Sequence, residues 1–261
     1  MKKQHSKLYL ALSDIQVMIV RSLKPIFKNP DQLMGLTIQP VMFMLLFRYV
    51  FGGSINTGGV SYVNFLVAGI LIQMAAFGSL TTSLSVATDI RRGIMDRFKT
   101  LPMINSAVII GHISSDLVRN VMSSIIMLLV ALLVGFRPVA DLGDWLLITG
   151  ILLLFTLAMS FVAAILGLLA KSIEAVQWMG FLVVFPLTFA SAAFAPTQNM
   201  PSGLRIFAEN QPITHVIEAI RALMVGTPIG SHGWLAVVWC MVIIIVAVPI
   251  TSRLFRRTTP T

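Results

Sequence analysis

One cysteine, Cys240, occurs in the whole chain, and it lies inside an apolar run. No disulfide can form within the chain, and no Cys/His metal framework exists. Charge is scarce too. Asp, Glu, Lys and Arg make up 11% of residues, where an average soluble domain has about 25%. Hydrophobic residues reach 57% and mean hydropathy is +0.90. This balance excludes a soluble globular domain and marks an integral membrane protein. Catalytic signatures are missing as well: there is no HExxH, no G-x-S-x-G and no paired acidic cluster at metal-ligand spacing. No G-x-x-x-x-G-K-[ST] loop is present, so the chain cannot bind and hydrolyse ATP in the P-loop manner. It reads as a non-enzymatic protein. No cleavable signal peptide is expected, because the basic start leads into an amphipathic stretch and not into a continuous apolar core.

The positive residues need an account, since the net charge is +9. Six segments are long enough to cross a hydrocarbon core of about 30 Å, which takes roughly 20 helical residues. They are 33–51, 62–88, 107–136, 145–170, 174–195 and 234–254. Threading them through a bilayer puts 14 Lys and Arg on the side of the termini and four on the other, with Arg119 inside the third segment. The positive-inside rule then assigns both termini to the cytoplasm of a plasma-membrane protein, and nucleic acid is not needed to explain the charge. Residues 1–29 place Leu8, Leu12, Ile15, Ile19 and Ile26 on one helical face, opposite Lys7, Asp14, Arg21 and Lys28. That pattern predicts a helix lying in the cytoplasmic interface, ended by Asn29-Pro30, with residues 30–261 forming the transmembrane domain.

The most charged stretch, DIRRGIMDRFKTLP at 89–102, falls between the second and third spans. Ile90, Ile94, Phe98 and Leu101 recur on one helical face, Arg91, Arg92, Asp96 and Lys99 on the others, and Pro102 stops the helix. A short amphipathic helix of this kind can meet a soluble partner; it can equally be a charged loop that fixes topology. At the other face, 196–233 reads as short helices at, or dipping into, the outer interface, with Glu218 and Arg221 paired at i,i+3. Ionisable and polar groups within spans are costly and tend to be functional. Asp116 and Arg119, again i,i+3, can neutralise each other as a packing contact or serve a substrate; Gln73 and Gln177 carry the same two readings. His112, His215 and His232 read as isolated polar residues near helix ends, and the 15 dispersed methionines as core packing.

The run DIRRGIMDRFKTLPMINSAVIIGHISSDLVRNV, followed by LLVGFRP, resembles the signature region of ABC-2 type transporter permeases, within them the daunorubicin/doxorubicin-resistance group. The matching positions include Arg91, Gly93, Asp96, Arg97, Phe98, Leu101, Pro102, Gly111, Asp116 and Arg119. Residues 28–53 and 210–226 resemble the same group, which often has Glu where Asp89 stands. The resemblance implies an all-α exporter fold of six spans with an N-terminal interfacial helix and re-entrant helices before the last span. It implies a permease dimer working with a separate ATP-binding-cassette ATPase, in which ATP and Mg are bound, and no cofactor bound directly. Arg91, Arg92, Ile94, Asp96, Arg97, Phe98, Leu101 and Pro102 would then contact that ATPase, and the cargo would be an apolar or amphipathic compound such as an antibiotic. Export of a lipid-linked glycan or polysaccharide is the alternative within the family. An ATP-independent carrier and a non-transporting scaffold are the alternatives outside it.

Overall fold

The computed structural model describes residues 15–24, 30–52, 55, 57, 60–93 and 106–258. They form a helical bundle with no strand among the described residues. Helical residues 15–24 (α1) precede α2 (Pro30–Leu46), which continues through a single π turn, Phe47–Phe51. Then come α3 (Tyr62–Gly78), α4 (Leu80–Arg91), α5 (Ser106–Val134), α6 (Leu142–Leu169) and α7 (Ile173–Phe189). Two short helices, α8 (Ser202–Asn210) and α9 (Pro212–Val225), lead into α10 (His232–Thr258). Among the described residues, four helical stretches are long and apolar enough to cross a membrane: Tyr62–Arg91, Ala107–Val134, Leu142–Leu169 and His232–Phe255. Two of the expected spans are shorter apolar helices, Thr37–Phe51 and Ile173–Phe189.

Local chemistry sets the boundaries. Asp141 caps α6 by accepting from the Asp144 amide at 2.8 Å, while the Asp144 carboxylate accepts from the Asp141 amide at 3.1 Å, a reciprocal capping box. Ser172 caps α7 through the Ala175 amide at 2.9 Å. Pro212 opens α9, and Gly226 closes it at φ +76°, a left-handed conformation that a side chain resists. The second span is not one smooth helix. It breaks between α3 and α4 at Ser79, whose hydroxyl donates back to the Ala75 carbonyl at 2.9 Å.

α3 sits at the centre of the bundle, buried along nearly its whole length, including Leu66, Val67, Ile70, Leu71 and Ile72. α6 and α10 pack extensively together, α9 packs on both α3 and α10, and α4 lies between α6 and α7. Outward faces are apolar, as Trp178 and Leu182 on α7 and Trp234 and Ile245 on α10 show. In water such surfaces would aggregate; in lipid they are the solvent-facing side.

Candidate coupling and transport site

Three polar clusters occupy the bundle at successive depths. The first lies at the root of the basic 89–102 stretch. Asp89, in the last turn of α4, is buried and its Oδ2 lies 3.0 Å from His112 Nε2 on α5. Arg21 Nη2 on α1 approaches the same oxygen at 3.6 Å. Beside them Gly111 lets α1 pack closely: a Cβ there would stand 2.9 Å from the Met18 carbonyl oxygen. The stretch is thus anchored to three elements before it leaves the bundle. Arg91 and Arg92 follow as exposed cations, and Gly93, at φ +64°, ends the helix. Arg91 is also near enough to Glu174 on α7 for their charges to interact. Ile94, Asp96, Arg97, Phe98, Leu101 and Pro102 lie outside the described residues. The His112–Asp89 contact joins residues 23 apart in sequence, so the helical spacings that reveal i,i+3 pairs could not announce it.

The second cluster is deeper. Asp116 is fully buried on α5, with Arg119 Nη1 3.9 Å from its Oδ1. The Ser160 hydroxyl of α6 donates to Asp116 Oδ2, Asn120 Nδ2 donates to Oδ1 at 3.1 Å, and Arg119 donates to the Thr81 hydroxyl of α4. Asp116 and Arg119 do pair as their spacing predicts, and the pair ties α4, α5 and α6 together. Ser79, Thr81 and Ser85 bond backbone carbonyls of their own span, Thr81 reaching back to Gly78 across the break between α3 and α4. By contrast, the hydroxyls of Ser83, Ser123 and Ser124 and both amide atoms of Gln73 are buried without a hydrogen-bond partner among the described residues. Gln177 lies apart from all of them, exposed on α7 next to Trp178.

The third cluster closes the opposite end. α7 stops at Phe189, three residues past Pro186, and the chain runs on without regular structure, short of the 174–195 span expected from hydropathy. Carbonyls freed this way must find donors. Gln211 Nε2 donates to the Ala190 carbonyl, Arg221 Nη2 to Ala192 O at 2.6 Å, and the Tyr62 hydroxyl to Phe194 O at 2.9 Å. Arg221 also donates from Nε to Phe65 O at 3.0 Å and pairs with Glu218 through Nη1. Its guanidinium carbon stands 3.6 Å from the centre of the Phe65 ring. The i,i+3 spacing of Glu218 and Arg221 revealed the ion pair, but the two carbonyl contacts of Arg221 to other segments carried no sequence signal.

Beyond Arg221 a polar cavity of about 410 Å³ opens, lined by Thr197, Gln198, Glu209, Thr214, Glu218 and His232. Arg205 and Thr197 bond the Glu209 carboxylate at 2.8 and 3.0 Å and hold its pKa below the usual carboxylate range. His215 Nδ1 lies 3.1 Å from His232 Nδ1, so neither ring is isolated as its place in the sequence suggested. One nitrogen must donate and the other accept, which requires a neutral ring. Burial first, and the neighbouring His232 second, hold the His215 pKa below its ordinary value. A base with a depressed folded pKa costs no stability above its unfolded value, about 6.5, and destabilises as pH falls below it. Acidification from pH 7.5 to 5.5 is therefore expected to lower the thermal unfolding midpoint, and His215→Gln to blunt that fall, as measured in detergent micelles. An unchanged pH profile in the variant would remove this pair as the origin.

Comparison with known sequences now decides the family. The model of the ABC-2 type transporter family matches residues 13–225, which include all three clusters. The chain belongs to the ABC-2 type transporter family. It is 34% identical over 238 residues to the daunorubicin resistance ABC transporter permease protein DrrB1 of Streptomyces coeruleorubidus, covering 88% of this chain and 82% of that one. It is 25% identical over 236 residues to the probable doxorubicin resistance ABC transporter permease protein DrrC of Mycobacterium tuberculosis, covering 86% and 82%. A putative transport permease, ycf38, of Porphyra purpurea is 26% identical over 223 residues, covering 84% and 76%. The chain is therefore an ABC-2 permease, a multi-pass membrane protein.

Proposed function

We propose that this permease moves an apolar or amphipathic compound, such as a drug or antibiotic, outward across the plasma membrane, driven by ATP hydrolysed on a separate ATPase subunit. One observation carries the mechanism: the basic 89–102 stretch grows from a buried charge cluster that joins α1, α4 and α5. A partner that seats Ile94, Phe98 and Leu101 and is oriented by Arg91, Arg92, Arg97 and Asp96 would pull on Asp89. Because Asp89 holds both His112 and Arg21, that pull reaches the second and third spans together and also the interfacial helix. The termini lie in the cytoplasm on this reading, where anionic lipid headgroups meet the lysines of the N-terminal segment. ATP and Mg belong to the partner subunit; this chain holds neither.

A second copy of the permease completes the pathway. Gln177 supports this, because an amide exposed on an otherwise apolar face at membrane depth is costly against lipid and acceptable against protein. The polar cavity at the outer end favours a second cargo reading: hydroxyl-rich glycan lipids would be well solvated there.

The test is to co-express the permease with a stand-alone ATPase and replace Arg97 and Phe98 together by alanine. Co-purification of the ATPase is expected to fall at least tenfold, as loss of one anchor costs about 2 kcal/mol or more, and substrate-stimulated hydrolysis with it. Full retention of assembly and transport would sink the assignment of this segment. Ion-gradient-driven flux by the purified permease alone would favour a carrier, and partner binding without any flux a scaffold.

A further inference from the structure

At the end of the bundle opposite the 89–102 stretch, Arg137, Arg205 and Arg221 are all engaged. Arg137 donates to the Leu132 and Phe136 carbonyls at 2.9 and 2.8 Å, Arg205 pairs with Glu209, and Arg221 with Glu218. Arg48 is the exception. It pairs with no carboxylate, and its Nε is buried without a hydrogen-bond partner among the described residues. The sequence shows why. Between Asp31, at the other end of α2, and Asp89, at the end of α4, there is no Asp or Glu. The described carboxylates at the Arg48 end are committed elsewhere: Asp141 and Asp144 to their capping box, Glu209 to Arg205 and Thr197, Glu218 to Arg221.

Arg48 does not simply point into water. Thr37, Pro40 and Met44 form the buried stripe of α2, and half-buried Arg48 extends it by one turn. Ile38, Met42 and Leu46 form the exposed apolar stripe, continued by Tyr49 and Val50. Arg48 also falls within the π turn Phe47–Phe51, a kind of helix interruption that recurs at functional sites. It sits in the last turn of the apolar helix Thr37–Phe51, where such a helix emerges among lipid headgroups. A half-buried guanidinium without a counter-charge is costly there unless an anion comes from outside the chain. The exposed stripe beside it is a wall for acyl chains, and the guanidinium fork matches two oxygens of a phosphate.

We propose that Arg48 holds the phosphate of an anionic phospholipid, whose acyl chains lie along Ile38, Met42 and Leu46. Phosphatidylglycerol has this chemistry: its single negative charge neutralises the arginine. Phosphatidylcholine fits less well, because its phosphate brings its own ammonium. On the orientation proposed for the chain, the lipid belongs to the outer leaflet. The site needs neither cargo nor ATPase.

The test uses the full-length permease in micelles containing phosphatidylglycerol, phosphatidylcholine or inorganic phosphate, with bound lipid counted by native mass spectrometry. Other basic segments also attract anionic lipid, so the quantity read is the difference between parent and variant. Arg48→Gln is expected to weaken one phosphatidylglycerol per chain about tenfold, the loss of a charge-assisted hydrogen bond, and to leave phosphatidylcholine nearly unchanged. Its unfolding midpoint in phosphatidylcholine should match the parent's, since no group of the chain loses a partner. A lower midpoint there would mean that the arginine serves the fold, and would overturn the proposal. An unchanged phosphatidylglycerol count would overturn it, as would equal losses of both lipids. Displacement of the lipid by inorganic phosphate would assign the site to a soluble anion. Loss of a second copy of the chain with an unchanged lipid count would assign the arginine to a carboxylate of that copy. Either result would overturn the lipid assignment. Should Arg48→Gln misfold, Arg48→Met, which matches the apolar neighbours, serves the same comparison. None of these outcomes involves transport, so the exporter reading stands or falls separately.

Discussion

Replacing Arg221 by alanine is expected to lower the unfolding free energy by about 3–5 kcal/mol, the usual cost of removing one partner from a buried ion pair. The residue is 7% exposed and serves three segments at once: Phe65 of α3, Ala192 beyond α7 and Glu218 of its own helix. Its loss leaves the carboxylate facing a half-buried space without its cation, and takes away the donors that Arg221 offers the Ala192 carbonyl and, beside its own helical bond, the Phe65 carbonyl. Lysine keeps the charge but not the planar fork, so Arg221→Lys is expected to lose less than alanine and still fall short of the parent. Guanidinium unfolding in micelles, followed by tryptophan fluorescence, measures both. A midpoint unmoved by the alanine change would mean that residues 190–196 hold their shape without this side chain. The effect is expected to be cooperative with transport, since those residues and α9 form one end of any path through the bundle.

Asp116→Ala is expected to cost a similar amount, about 3–5 kcal/mol, by leaving the Arg119 guanidinium buried without its counter-charge. Asp116 has no exposure and accepts from Ser160, Asn120 and the Arg119 charge together, so no water can replace it readily. The informative comparison is the double variant Asp116→Asn with Arg119→Gln. Two neutral amides can satisfy Ser160 and Asn120 without a buried charge, so this variant is expected to recover more than half of the loss. The deviation from additivity should lie in the range of about 1–3 kcal/mol, measured by the same unfolding assay. Strictly additive losses would show that the two residues do not act as a pair. Because the knot ties α4 to α5 and α6, the single variant should also loosen the link between the 89–102 stretch and the spans.

Residues close in sequence were the readable part of these sites. Asp116 with Arg119 and Glu218 with Arg221 are one helical turn apart, and a turn brings such side chains together whatever the rest of the chain does. His112 with Asp89, and His215 with His232, could not be read, because separations of 23 and 17 residues acquire meaning only once two helices are docked. The end of α7 was overrun by its own hydropathy: SAAFAP continues the apolar run, but its backbone leaves the helix where Gln211, Thr214, Tyr62 and Arg221 compete for its peptide groups. Gln73 looked like an ordinary polar residue within a span; its lack of partners emerges only when the neighbouring helices are in place.

The sequence by itself determined the solvent, the helical class and the family. Long apolar runs with few charges suit only lipid, and in lipid a single segment can satisfy its own backbone only as a helix. The absence of a phosphate loop followed from the chain's letters alone. Tertiary structure decided where the buried charges are neutralised, where a span stops short, and which amide is left without a partner. Each of those depends on groups far apart along the chain, whose desolvation and pairing are settled only by packing.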